Sequence, residues 1–322
     1  MKRYFLPFLC LIPLLYAGCK KVPRKDYRGE MRQFVKEIAT YARSQDPDFI
    51  VIPQNGQELI TTDGAPGGPL ASEYVSAVDG CGREDLFFGY TSDNTATPSA
   101  DHTYMLEWVA RWRDAGKTVM VTDYVSDTQK MEYSYEQNAL QGFISFAADE
   151  RNLNDIPSQP VQPYNHHNGN VSQLSDARNF LYLINPEKFA GKSAFLQALQ
   201  QTNYDLIIMD AFFNDETYTP QEIASLKTKG NGGKRLVISY MSIGEAEDYR
   251  YYWKSAWKKE QPSFIYRKNP DWPGNYKVFY WEPEWKAIIT GNSASYTQKI
   301  LDAGFDGVYL DIIDAFEYYE KD

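Results

Sequence analysis

The chain has 322 residues, 43% hydrophobic and 24% charged, which is enough apolar material for a large buried core and enough length for two domains or one barrel. Its formal net charge of −10 argues against nucleic acid and anionic membrane surfaces as partners and suits a neutral or cationic substrate. Of its three cysteines, Cys10 is expected to leave with a signal and Cys19 to carry lipid, so Cys81 alone leaves no intramolecular disulfide to form.

Met1-Lys2-Arg3 makes a short positive region, and residues 4–15 make an apolar run interrupted by Pro7 and Pro13. The run is too short to span a bilayer as a helix and has the length of a signal-peptide core. Ala17-Gly18-Cys19 follows, small residues directly before a cysteine, as in a lipoprotein signal. Tyr16 stands where the usual pattern has Leu. This predicts a signal over residues 1–18, lipid on Cys19, a basic tether over 19–29 and a folded domain over 30–322. The expected location is the cell envelope, with the lipid anchor as the contact with the membrane; an ordinary secretory signal is the alternative.

The period of Phe34, Ile38 and Tyr41 predicts a helix over residues 30–44. Apolar runs then recur at 49–55, 85–88, 118–123, 142–147, 180–185, 205–210, 236–240 and 307–311. They are continuous and not alternating, as in strands buried on both faces of a parallel sheet. Helical periods separate several of them, at 104–115, 135–140, 192–202, 220–229 and 294–303. The alternation predicts an α/β fold, a (β/α)8 barrel from about residue 30 onwards, with a doubly wound open sheet as the second reading. The stretch 152–176, rich in Pro, Asn, Gln and Ser, reads as a linker.

A barrel keeps its chemistry at the C-terminal ends of its strands, so the polar residues there are candidates. They are Gln54, Asn55, Glu84 at the start of its run, Asp123, Asp149, Asn185, Asp210, Glu245, Asp311 and Asp314. Any one of them could cap the helix that follows. A whole rim of carboxylates is harder to explain by capping, and close acids perturb one another's ionisation as acid–base chemistry needs. The 25 Tyr and 7 Trp would serve either a core or the stacking of sugar rings. Three histidines, two of them the adjacent His166 and His167, weigh against a zinc site. No G-x-G-x-x-G, P-loop or G-x-S-x-G is present, and no metal or cofactor is expected.

Three segments are more specific. They are Ile-Ser-Tyr-Met-Ser-Ile-Gly-Glu-Ala-Glu-Asp-Tyr-Arg over 238–250, Tyr-Trp-Glu-Pro-Glu-Trp over 280–285, and Gly-Phe-Asp-Gly-Val-Tyr-Leu-Asp-Ile-Ile-Asp-Ala-Phe-Glu over 304–317. Together they resemble glycoside hydrolase family 114, the endo-α-1,4-polygalactosaminidase-like barrel proteins. Further likeness lies at 41–43, 53–59, 79–87 and 122–125, so that it runs from Met31 onwards and is weakest over 152–176. Glu282 stands where the family often has Asp. In the family the Gly-Val-Tyr-Leu-Asp motif precedes the helix and Gln-Asn-Gly segment that here occupy 31–57. The resemblance therefore implies a circular permutation, with 152–176 as the join.

The resemblance also implies a reaction: cleavage of an amino-sugar-containing polysaccharide between two carboxyl groups. It makes Asp311 the nucleophile or base and Glu84 the general acid, facing each other across the mouth at roughly 5–10 Å. Asp210, Tyr240, Glu245, Asp123 and Asp314 would contact substrate hydroxyl or amino groups, and Gln54 and Asn55 would form a hydrogen-bonding wall. Trp281 and Trp285 would stack on sugars or simply pack the loop. Two other classes stay open: a non-catalytic carbohydrate-binding lipoprotein that kept the cleft, and a scaffolding protein whose mouth is filled by apolar side chains.

Overall fold

The computed structural model describes residues 22–321; the expected signal and lipidation site, residues 1–19, lie outside the described residues. Among the described residues, eight strands pair in parallel: β1 (Ile50–Pro53), β2 (Gly80–Glu84), β3 (Thr118–Tyr124), β4 (Ile144–Ala148), β5 (Leu181–Tyr182), β6 (Leu206–Asp210), β7 (Leu236–Ser242) and β8 (Gly307–Asp311). Five of them form one sheet in the order β1-β8-β7-β6-β5, and three form a second in the order β2-β3-β4. Gln54 and Gly82 form a parallel bridge between the sheets. Beside it the Asn55 N–H donates to the Gly82 carbonyl and the Asp79 N–H to the Val51 carbonyl, each at 2.9 Å. On the far side Phe146 of β4 meets Phe180, just before β5, with ring centroids 5.9 Å apart. The result is a mixed α/β fold with parallel sheets, compatible with a TIM-like barrel. As expected, β8 lies beside β1, Ile50 opposite Gly307 and Pro53 opposite Leu310.

Helices separate the strands: α1 (Tyr27–Arg43), α2 (Ser72–Ala77), α3 (Ser99–Asp114), α4 (Thr128–Leu140), α5 (Lys192–Gln200), α6 (Pro220–Leu226), α7 (Pro283–Ile289), α8 (Tyr296–Ala303) and α9 (Phe316–Glu320). Their ends follow local chemistry. Asp26 caps α1 by accepting the Gly29 N–H, and Phe34, Val35 and Ile38 are buried beneath that helix. Thr219 and Glu222 form a reciprocal capping box on α6, with Pro220 in its first turn. Gly304 ends α8 at φ +82°, a left-handed value that glycine adopts without a Cβ clash. Between β7 and α7 the chain makes an antiparallel excursion of three short strands, 245–247, 275–278 and 265–268 in spatial order.

Several elements differ from the sequence reading. The second strand is Gly80–Glu84, ahead of the expected run at 85–88. α2 and α7 show no clear apolar period, while α3 and α4 begin five and seven residues earlier than the expected starts at 104 and 135. The stretch 152–176 has a linker's composition but is held down. Leu153, Val171 and Leu174 are buried. The Lys229 ammonium donates to the His167 and Gly169 carbonyls and to Asp205, and both Lys229 and Asp205 are buried. A buried charge keeps its ionised form only with partners like these.

Candidate active site

A cavity of about 480 Å3 opens where β1, β2, β3, β6 and β8 end, lined by Glu84, Asp311, Asp314 and Asp210 together with Gln54, Asn55, Tyr124 and Tyr240. The strand ends set these positions. Asn55, Asp85 and Ile312 all have φ near +60°, and each adjoins a polar side chain at the end of β1, β2 or β8. A left-handed turn is costly for a β-branched residue such as Ile312, and strain of this kind gathers at functional sites. Here it lets the Ile312 N–H donate back to Asp311 Oδ1 at 2.8 Å.

Glu84 is surrounded by donors. The Gln54 and Asn55 amides donate to its Oε2 at 2.6 and 2.9 Å, and the Tyr124 hydroxyl donates to its Oε1. Tyr182 in turn donates to Gln54 Oε1 at 2.9 Å, which fixes the Gln54 amide with its NH2 towards Glu84. Asp311 accepts from Tyr240 at 2.7 Å through Oδ2. Burial pushes the Asp311 carboxyl up to about 8, with the Glu84 charge the next cause, while the Tyr240 and Ile312 donors act the other way. Burial also raises Asp314 to about 7, helped by the charge of Glu317 and opposed by Arg83. Beside Glu84, Asp85 is pushed up to about 6, again by burial first and against its bond to Arg151. The two catalytic candidates thus share one cavity and feel each other electrostatically.

Asp210 lines the cavity, with both oxygens paired to Arg250 at 2.8 and 2.7 Å. Arg250 also donates to Glu247 at 2.6 Å, and Tyr249 donates to the other Glu247 oxygen at 2.7 Å. Asn185 lines the cavity as well. Four expected binding residues, Asp123, Glu245, Trp281 and Trp285, are not brought to it. Asp123 is buried outside the cavity, accepting the Phe87 and Phe88 N–H groups, the Ser134 hydroxyl and the Asn138 amide. Glu245 is buried under the antiparallel excursion and accepts the Asn269 and Asn275 amides. Trp281 is buried among Tyr27, Phe279 and Tyr319. Trp285 is fully buried, its Nε1 donating to the Ile243 carbonyl, and Asp149 also lies outside the cavity.

Sequence reasoning missed Tyr124, Tyr182, Glu247, Arg250 and Trp272, all on the cavity wall. Tyr124 and Asp123 are neighbours in a strand, and neighbours point to opposite faces. Choosing the carboxylate over the phenol chose the wrong face. Arg250 ends the 238–250 segment, where counting acids passed over a base.

A family model matches residues 183–322, the part of the chain carrying Asp210, Tyr240 and Asp311. The model is that of glycoside-hydrolase family GH114, so this part of the chain is similar to that family. An uncharacterized protein of Methanocaldococcus jannaschii is 40% identical over 156 residues, 47% of this chain and 41% of its own length. Uncharacterized proteins of Deinococcus radiodurans and Thermotoga maritima are 38% identical over 126 residues and 43% identical over 105 residues. Those matches cover 39% and 33% of this chain, and 38% and 30% of the relatives. The chain thus spans about two-fifths or less of the curated relatives it matches. Glu84 and its donors lie outside the GH114 match yet on the same cavity as Asp311.

Proposed function

We propose that this protein hydrolyses glycosidic bonds in an amino-sugar-containing polysaccharide of the α-1,4-galactosamine class. The observation that carries this reading is the pair Glu84 and Asp311, two carboxyl groups on one cavity, with Asp311 raised first by burial and then by the charge of Glu84. Asp311 acts as nucleophile or base and Glu84 protonates the leaving oxygen. Burial, and then the Glu84 charge, hold the Asp311 carboxyl up to about 8, while the Tyr240 and Ile312 donors favour its ionised form. The cavity lining carries five carboxyl groups, Glu84, Asp210, Glu247, Asp311 and Asp314, against two cations, Arg151 and Arg250, an acidic balance that suits cationic amino sugars.

The test is turnover of partially N-acetylated polygalactosamine, followed by product analysis. Asp311→Asn should abolish cleavage and Glu84→Gln should lower it by roughly 10²–10⁴-fold. Near-normal hydrolysis by either variant would rule out its role, and a wild-type chain that binds this polymer without cutting it would overturn the enzyme reading.

We also propose that the eight parallel strands close into a (β/α)8 barrel and that its order is a circular permutation of the family's. Support comes from the β1–β8 pairing and from the Gln54-Asn55 and Glu84 motifs, which lie ahead of the GH114 match instead of after it. The Cys19 pattern supports a lipid anchor in the cell envelope. Wild-type chain should partition into detergent on phase separation and Cys19→Ala should not; equal partitioning of both would dismiss lipidation.

A further inference from the structure

Large apolar side chains stand exposed at several points, but among the described residues Tyr249 and Trp272, 54% and 58% exposed, are the two that also line the active-site cavity. Both come from the antiparallel excursion after β7. Trp272 sits in the turn between its strands 265–268 and 275–278. Burying an indole would stabilise the fold by about 2–3 kcal/mol, so packing does not account for this placement.

The turn that carries Trp272 is tightly built. The Asp271 N–H donates to Asn269 Oδ1 at 3.0 Å, and the Asn275 N–H donates to the Trp272 carbonyl at 3.1 Å. The Asp248 N–H donates to the Gly274 carbonyl at 2.8 Å, tying the turn to the strand that leaves β7. Pro273 restricts the Trp272 backbone to extended values. Beneath the turn, the buried Glu245 accepts the Asn269 amide through Oε1 at 2.8 Å and the Asn275 amide through Oε2 at 3.1 Å. One carboxylate thereby grips both feet of the turn. A buried charge kept for this purpose is a costly way to hold a loop that presents an exposed ring to a polar cleft.

We propose that Trp272 is a stacking platform for a pyranose ring of the substrate chain, at a subsite beyond the Asp311–Glu84 pair, and that Glu245 is the residue positioning it. This rests on the carbohydrate reading above. Aromatic faces stack on the apolar faces of sugar rings, and a ring fixed in advance binds without first being ordered. The platform contributes to the affinity of chains long enough to reach it and nothing to that of a monosaccharide.

The test uses the full chain carrying Asp311→Asn, so that bound polymer survives, with binding read by calorimetry. Probes are partially N-acetylated polygalactosamine, chitosan and galactosamine. Polygalactosamine should bind the Asp311→Asn protein and should bind Asp311→Asn/Trp272→Ala about three- to tenfold more weakly. Trp272→Phe should restore most of the affinity, and galactosamine should not distinguish the proteins. Glu245→Gln, which loses one of its two acceptor oxygens, should weaken polymer binding while leaving galactosamine binding unchanged. Equal polymer affinity with and without Trp272 overturns the platform. Absence of polymer binding by the Asp311→Asn protein itself is a different result, and it removes the carbohydrate reading together with the platform.

Discussion

Asp311 and Asp314 are carboxyls that ionise only against their surroundings, and that cost is paid by the folded state. Their folded values, about 8 and about 7, lie above the 3.8 of an unperturbed aspartate. Between those limits the folded protein binds protons that the unfolded chain releases, so stability falls as pH rises. The contribution is fully present below about pH 4 and is lost as pH rises through about 7 to 8. Asp311→Asn, which cannot ionise, should flatten this slope and be more stable than wild type at pH 8 by an amount on the order of a few kcal/mol. Urea unfolding of both proteins from pH 4.5 to 8.5 measures the difference. A gap between them that does not widen with pH would contradict the burial-driven shift.

At the scale of elements, continuous apolar runs were readable wherever a strand is built from side chains. β1, β3, β4, β6, β7 and β8 all fall within or beside the expected runs. β2 was not readable, because it is built from their absence. A Cβ on Gly82 would sit 1.9 Å from the Tyr309 hydroxyl, and one on Gly80 would sit 2.6 Å from the Thr118 carbonyl. Glycine is required there for close approach between strands, and glycine in a strand reads as a breaker. The site was legible to the same extent. Motif residues with fixed spacing, Gln54, Asn55, Glu84, Tyr240 and Asp311, converge on one cavity. Asp123 and Glu245 do not, since a buried carboxylate that holds a helix or a turn looks the same in sequence as one that meets a ligand. Their structural roles emerge only from the donors that surround them.

At the scale of the whole molecule, the order of the elements and their arrangement in space are separable. Arg28 at the start of α1 donates to both oxygens of Glu320 in α9, at 2.8 and 3.0 Å. Those two positions can be joined by a short flexible linker, and the chain can be opened at the exposed Val161. If chain order is neutral, as the proposed permutation requires, the relinked protein should unfold cooperatively and keep the wild-type activity. Failure to fold would show that the present order is needed and would count against the permutation. The Lys229–Asp205 pair should matter more after that cut, because it fastens the segment next to the new opening.

One more consequence belongs to the chain of donors running from Tyr182 through Gln54 to Glu84. With its carbonyl committed to Tyr182, the Gln54 amide can only give to Glu84, and the Asn55 amide gives to the same oxygen. Oε2 is thus closed to a proton, since an NH2 cannot take one. Any proton on Glu84 sits on Oε1, along the edge held by the Tyr124 hydroxyl, which can turn from donor to acceptor. The carboxyl has a front and a back, and the bond to be protonated must arrive from the front. An amide locked one strand away thereby gives the cleft a direction.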